Sequence, residues 1–434
     1  MKKKQLFLIT LLLIYGCNNI IEKYLRSLII AQTADTYIVM NESSKKILFE
    51  SESAYEAITF AIDTNINKVR NIHILPGLYY LNKTIEVPDL YTISGSGNST
   101  RLILSKEHET GIGIVTNESN KILMKDFWIQ AEKKDESGKT GIILDHTGDT
   151  KITSVTCQGF SEYGIVIRNN SFLCEVSSCR FTDIDKSGIF MDTNKGDGRG
   201  GSFLPNLVTN CIVYRCGKGI ELKYTIVANF IGNLIYNTRS HAFHLHTNSN
   251  SILITGCRTF QIEDDAVVVE NSDEINITGN IFCWHDKNGI ILKNVTWGTI
   301  SGNNIIDTGN VPFEETKTEE YEYWKPIPED ISPYQFYAVL MVEKSNCLSV
   351  NGNAIFNWAS NPPLIDGILE DNSCSSNIIS NNNINGYSGK SINSMGENSL
   401  VSNNLGTPKP SKGNTHGLHS YDPRKIEKFI KDIE

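Results

Sequence analysis

Three histidines, His241, His244 and His246, fall within six residues of a 434-residue chain that has nine histidines in all. Imidazole is the side chain best suited to proton transfer near neutral pH. On a strand, His244 and His246 would face the same way, a disposition that also suits a metal ion. The sequence dictates no third ligand, and no metal is expected. Further along, Asp264 and Asp265 stand together in IEDDAVVVE. Crowding two carboxylates raises the pKa of one, so that it can hold a proton as an acid while the other stays ionised. The same pair is also what a solvated turn favours. Glu221, Lys223, Glu270 and Lys293 complete a column of mixed charge around the histidines. Such a column can grip a polar ligand or simply keep an exposed sheet from sticking. Asp264, Asp265, His241 and His244 are thus the candidate catalytic residues. Glu221, Lys223, His246, Glu270 and Lys293 are candidate substrate contacts, with Trp284 and His285 of CWHDKNG. Tyr323 and Trp324 join them from an insertion rich in glutamate and aromatic residues.

The elements that must position these groups show in an internal repeat. Short apolar strands follow a Gly or Ala, as in TGIILD at Gly141, YGIVIR at Gly164, SGIFMD at Gly188 and KGIELK at Gly219. HAFHLH at Ala242, DAVVVE at Ala266, NGIILK at Gly289, YAVLMV at Ala338 and DGILED at Gly367 continue the series. Most spacings are 23 or 24 residues, with 31 before Gly219, 49 before Ala338 and 29 before Gly367. A second register runs in phase through Cys157, Cys179, Cys211, Asn233, Cys257, Asn280, Asn303, Asn353, Asn382 and Asn403. Alternating strands at ~20–25 residues per coil signal a parallel β-helix, with equivalent positions stacked about 4.8 Å apart. In each strand the residues one and three after the Gly or Ala point inward, so those two and four after it point outward. That outward set is Glu221, Lys223, His244, His246, Val268, Glu270, Ile291 and Lys293. The cysteines of the second register are small core residues, and neighbouring coils leave a disulfide open.

The expected fold class is all-β: a single-stranded right-handed parallel β-helix with an N-terminal capping helix and a C-terminal helix. Ala54, Ala57, Ile58, Ala61 and Ile62 have helical spacing and would cover the open end of the stack. Asp422-Pro423 starts the second helix, whose Ile426, Phe429, Ile430 and Ile433 would pack near the other end. The expected organisation is a leader over 1–17, a tether and N-terminal segment over 18–52 with some helical content in 18–35, the β-helix over 53–405, and a connector and helix over 406–434. Two excursions interrupt the repeat, Gly196 to Pro205 and Asn310 to Tyr337. The longer one leaves the coil that begins at Gly289, and a loop of that length in a solenoid is more often functional than accidental.

Lys2, Lys3 and Lys4 precede the apolar run 5–14, which is too short to span a bilayer and reads as an export signal. Ile14-Tyr15-Gly16-Cys17 resembles a bacterial lipobox. The resemblance implies a lipid anchor at Cys17 and a place in the bacterial cell envelope, with the outer membrane favoured because Asn18 is not Asp. The composition is that of a globular protein, with 40 Lys+Arg against 49 Asp+Glu and a net charge of −9. An acidic chain without a basic stripe is not a nucleic-acid binder.

IHILPGLYYLNKTIEV and LYTISGSGNSTRLIL resemble the first coils of the pectate-lyase-like superfamily of extracellular β-helix proteins, through Leu75-Pro76-Gly77, Tyr79, Gly95 and Gly97. This resemblance implies architecture and not chemistry. The expected partner, a poly- or oligosaccharide, rests on the candidate site. Asp264-Asp265 also stands where the polygalacturonase family carries an Asp-Asp pair. The neighbouring positions differ: His241 and Asn288 occupy the coils below and above, and no Arg-x-Lys pair follows. The likeness implies glycoside hydrolysis, with one Asp as acid and the other Asp or His241 as base. In an elimination, Lys223 or His244 would instead take the proton next to a uronate carboxylate, with Lys, Arg or Ca²⁺ neutralising that carboxylate. Hydrolysis requires no cofactor. The contrasting class is a glycan-binding or structural surface lipoprotein without catalysis.

Overall fold

A computed structural model describes residues 27–63, 70–193, 204–309, 336–357, 364–387 and 389–408. The expected leader with Cys17, the excursion over 196–203, the insertion with Tyr323 and Trp324, and the C-terminal helix lie outside the described residues.

The strands stack coil on coil into three parallel faces. On one face Ile112–Asn117, Thr140–Asp145, Tyr163–Arg168, Ser187–Asp192, Lys218–Lys223 and Phe243–His246 pair in sequence. The same face continues through Val267–Thr278, Ile290–Ser301, Tyr337–Val342 and Asp366–Glu370. Inward residues fill the core: Ile220, Leu222, Phe243, Leu245, Val267, Val269, Ile290 and Leu292 are all fully buried. The chain is a right-handed parallel β-helix. No helix among the described residues is long and apolar enough to cross a membrane.

One bend explains the second register. From Cys179 onward the residue before the ladder position adopts a left-handed backbone: Ser178, Asn210, Gly232, Gly256, Gly279, Gly302, Gly352, Asn381 and Asn403. On the preceding coil the left-handed residue is Ser154, and Cys157 pairs in register with Phe181, so Val155 and not the expected Cys157 holds the ladder position. Gly and Asn are the residues that tolerate that conformation. The ladder therefore ends at Asn404, one residue beyond the expected Asn403. Asn303 Oδ1 accepts the backbone N–H of Asn280 at 3.0 Å and its side-chain N–H at 2.9 Å, and Asn353 does the same for Asn303 at 3.1 and 3.0 Å. Asn303 also donates to the Ile277 carbonyl at 2.9 Å. Replacing Asn303 with Leu would strand these buried partners, and urea unfolding should show a loss of about 2–4 kcal/mol. Cys157, Cys179, Cys211 and Cys257 are buried free thiols, and burial pushes Cys157 well above the ordinary thiol range. The nine described cysteines form no disulfide.

The N-terminal segment differs from expectation. Instead of a tether, β1 (Ser27–Gln32), β2 (Tyr37–Asn41) and β3 (Ile47–Ser51) form an antiparallel unit, and β1 also pairs in parallel with Asn71–Ile74. Period-two burial of Leu28 and Ile30, and of Tyr37 and Val39, drives it. Behind it α1 (Ala54–Asp63) buries Ala54, Ala57, Ile58, Ala61 and Ile62, as its spacing predicts. Ser53 Oγ accepts the Glu56 N–H at 3.3 Å and caps its first turn. At the other end the last strand runs Leu405–Pro408, past the expected boundary at 405.

Candidate active site

The outward side chains of the first face form a wall whose chemistry changes along the stack. Glu221 pairs in register with His244, and Lys223 with His246. His244 is followed by Val268, and Glu270 by Lys293. Val268 and Ile291 occupy outward positions but are only 3% and 6% exposed, so they are not solvent-facing as expected. In that central column the polar stretch is Glu221 and His244, between Phe190 on one side and Val268 on the other.

Glu221 is the most heavily tied member. Lys218 Nζ lies 2.6 Å from its Oε1, Ser187 Oγ donates to Oε2 at 2.6 Å, and His246 Nε2 is 3.3 Å from Oε1. Burial works to raise this carboxyl, but His246, Lys218 and Ser187 outweigh it and hold the group well below the usual range. His244 is pushed down to about 4, by burial first and then by the charges of Lys218, His241 and His246. Its Nε2 is 3.8 Å from Glu270 Oε2, and Glu270 is bound to Lys293 Nζ at 2.9 Å. Lys223 lies 5.3 Å from the Tyr224 ring centre and has no carboxylate partner among the described residues.

The second group sits at the corner where the chain enters this face. Asp264 is ion-paired with Lys287 at 2.7 Å, and His241 Nδ1 is 3.8 Å from its other oxygen. Burial lowers the His241 imidazole, against the opposing pull of Asp264 and Asp265. Asp265 is not an outward acid. It is 7% exposed, and its Oδ1 accepts both the backbone and the side-chain N–H of Asn288 at 2.8 Å. Asn288 Oδ1 in turn accepts the Tyr337 N–H at 2.8 Å, so this column staples successive corners together. Asp265→Ala should therefore melt well below the parent in a thermal scan, because two buried donors lose their acceptor.

The Asp264–Asp265 pair also fails as an inverting acid and base. One oxygen of each lies within 4.8 Å of the other, whereas inversion needs ~6.5–9.5 Å to admit a water. A second carboxyl that feels the Asp264 charge is Asp286, on the next coil. Burial first, then the charges of Glu263 and Asp264, push the Asp286 carboxyl up to about 7, with Lys287 opposing. Sequence reasoning missed Asp286, Lys287 and Lys218. The signal was the repeat itself: 23 residues carry Glu263 to Asp286, Asp264 to Lys287 and Lys218 to His241.

Two further expectations change. His285 is fully buried rather than a surface contact: Trp284 before it is left-handed, which reverses the strand alternation and turns His285 inward. Its Nε2 is 2.9 Å from Thr259 Oγ1, and burial alone pulls it down to about 3. Trp284 lies on another face, with Nε1 donating to Asp307 Oδ2 at 3.3 Å and its ring meeting Phe260 edge-on. It does not line the histidine wall. Among the described residues, His, Asp and Glu side chains gather closely enough to hold an ion in two places: Glu221, His244 and His246, and His241, Asp264 and Asp265.

Residues 140–306 match the right-handed β-helix region family. No curated protein sequence matches the chain. Among solved structures it is similar to the A-module of the mannuronan C-5 epimerase AlgE6 of Azotobacter vinelandii, at 15% identity and TM-score 0.62, covering 82% of this chain and 95% of that one. The AlgE4 A-module of the same organism gives 14% identity and TM-score 0.57, over 78% and 91%. A DFA-IIIase from Arthrobacter chlorophenolicus A6, solved with GF2, gives 13% identity and TM-score 0.51, over 74% and 86%. The stacked coils, the family match and these likenesses agree on one architecture, the right-handed parallel β-helix.

Proposed function

We propose that the chain is a glycan-cleaving enzyme and that cleavage is hydrolysis at the corner formed by Glu263, Asp264, Asp286 and Lys287. One observation carries this reading. Two carboxyls on adjacent coils have opposite environments, with Asp264 neutralised by Lys287 and Asp286 crowded by like charges and burial. A carboxyl that keeps its proton, next to one that is paired with a cation, is an arrangement that suits an acid and a base. Asp286 holds a proton near neutral pH and gives it to the leaving oxygen, while Asp264, paired with Lys287, activates water. The wall of Lys223, His246, Glu270 and Lys293 borders the corner with polar groups that suit hydroxyls and carboxylates of a sugar chain. The likeness in fold to an epimerase named for mannuronan supports this reading.

Elimination is the second reading, favoured by Lys223. A cation in register with His246, with no carboxylate partner among the described residues, would neutralise a uronate carboxylate while His244 takes the neighbouring proton. A panel of poly- and oligosaccharides separates the two. Hydrolysis gives reducing ends without ultraviolet absorbance from an unsaturated uronate; elimination gives both. Binding with neither product would leave the protein a glycan-binding surface.

We also propose that the protein is anchored in the envelope by lipid at Cys17. Cys17→Ser should move it from the membrane to the soluble fraction. Retention in the membrane at high salt would refute the anchor.

A further inference from the structure

Glu221, His244 and His246 carry an inference that goes beyond glycan cleavage. His244 and His246 alternate on one strand, so both imidazoles leave the same face, and their rings stack with centroids 4.6 Å apart. Glu221 stands in register beneath His244 on the preceding coil. One ligand atom from each residue lies within 4.8 Å of the other two. An ion between them would need only a small contraction to reach the ~2.0–2.2 Å typical of nitrogen and oxygen ligands on zinc.

The surroundings are those of a built site. His246 Nδ1 is 3.2 Å from Thr247 Oγ1, which orients the ring and leaves Nε2 toward Glu221. Ser187 Oγ fixes the other carboxylate oxygen at 2.6 Å. Contacts of this kind hold metal ligands in place and set their basicity. His244 Nδ1 is buried and has no hydrogen-bond partner, which is unusual for a polar atom in a rigid sheet. Lys218 Nζ, 2.6 Å from Glu221 Oε1, supplies the cation that the cluster now holds.

We propose that Glu221, His244 and His246 form a site for a divalent transition metal of the zinc class, and that the Lys218 ammonium is its built-in competitor. Two imidazoles and one carboxylate suit such ions better than calcium, which takes 6–8 oxygens. Three protein ligands leave a coordination position open toward the wall. The neighbouring group of His241, Asp264 and Asp265 is the poorer host. Asp265 Oδ1 already accepts two bonds from Asn288, and Lys287 is seated on Asp264.

The test uses the full chain freed of metal, titrated with Co²⁺ followed by visible absorption and with Zn²⁺ followed by calorimetry. One ion per chain is expected, with the intense visible bands of low-coordinate cobalt. His246→Ala and His244→Ala should each weaken binding at least ~100-fold, while Lys218→Met should tighten it ~10-fold. Circular dichroism confirms that each variant is folded. Asp286→Asn should bind metal like the parent, so the site stands or falls independently of the hydrolytic reading. Absence of saturable binding, or binding unchanged in folded His246→Ala, overturns the proposal.

Discussion

Asp286→Asn should lower turnover at least ~100-fold and at the same time make the protein more heat-stable at pH 8. Loss of the proton donor accounts for the first effect. The second follows from linkage. The folded carboxyl keeps its proton up to about pH 7, against an ordinary value of 3.8. Between those values the native state binds more protons than the unfolded one, so stability falls as pH rises. Above pH 7 the wild type must hold an ionised carboxylate in a half-buried corner beside Glu263 and Asp264. Asn removes that charge at nearly constant shape. The gain in melting temperature should be absent at pH 3, grow between pH 4 and 7, and be complete at pH 8. A variant that loses turnover and stability together would mark Asp286 as a structural residue.

Asp264→Asn should also cost about 100-fold or more in turnover, through loss of the base. Its second signature is in the pH profile of the residual activity. Asp264 is one of the charges that push Asp286 upward. Removing it lowers the Asp286 pKa, so the limb on which activity declines with rising pH should move toward acid. Lys287 loses its partner and then lies free to pull Asp286 further the same way. A limb that stays in place would show that the two carboxyls do not communicate.

The fold was legible because every coil makes the same demands. A small residue opens each strand, alternate apolar residues fill the core, and a left-handed residue precedes the ladder at Gly256, Gly279 and Gly302. The histidine wall was legible for the same reason, since Glu221, His244 and Glu270 follow from alternation. Periodicity says which way a side chain starts, not what lies over it. Val268 and Ile291 point outward yet are buried, and Asp265 turns to bind the next corner. His285 turned inward because one left-handed residue, Trp284, reset the phase. Asp286 escaped notice because its interest lies in what surrounds it, and only translation of Glu263 by one coil brings it into view. The strands β1 to β3 were missed because their alternation lies upstream of the repeat.

The pH dependence of kcat/KM on whichever glycan the panel shows to be cleaved tests the central claim most directly. With Asp286 as the acid, the rate should fall tenfold per pH unit above a midpoint near 7, and reducing ends should be the only new chemical feature of the product. A rate that stays level from pH 6 to 9, or a product that absorbs as an unsaturated uronate, would contradict it.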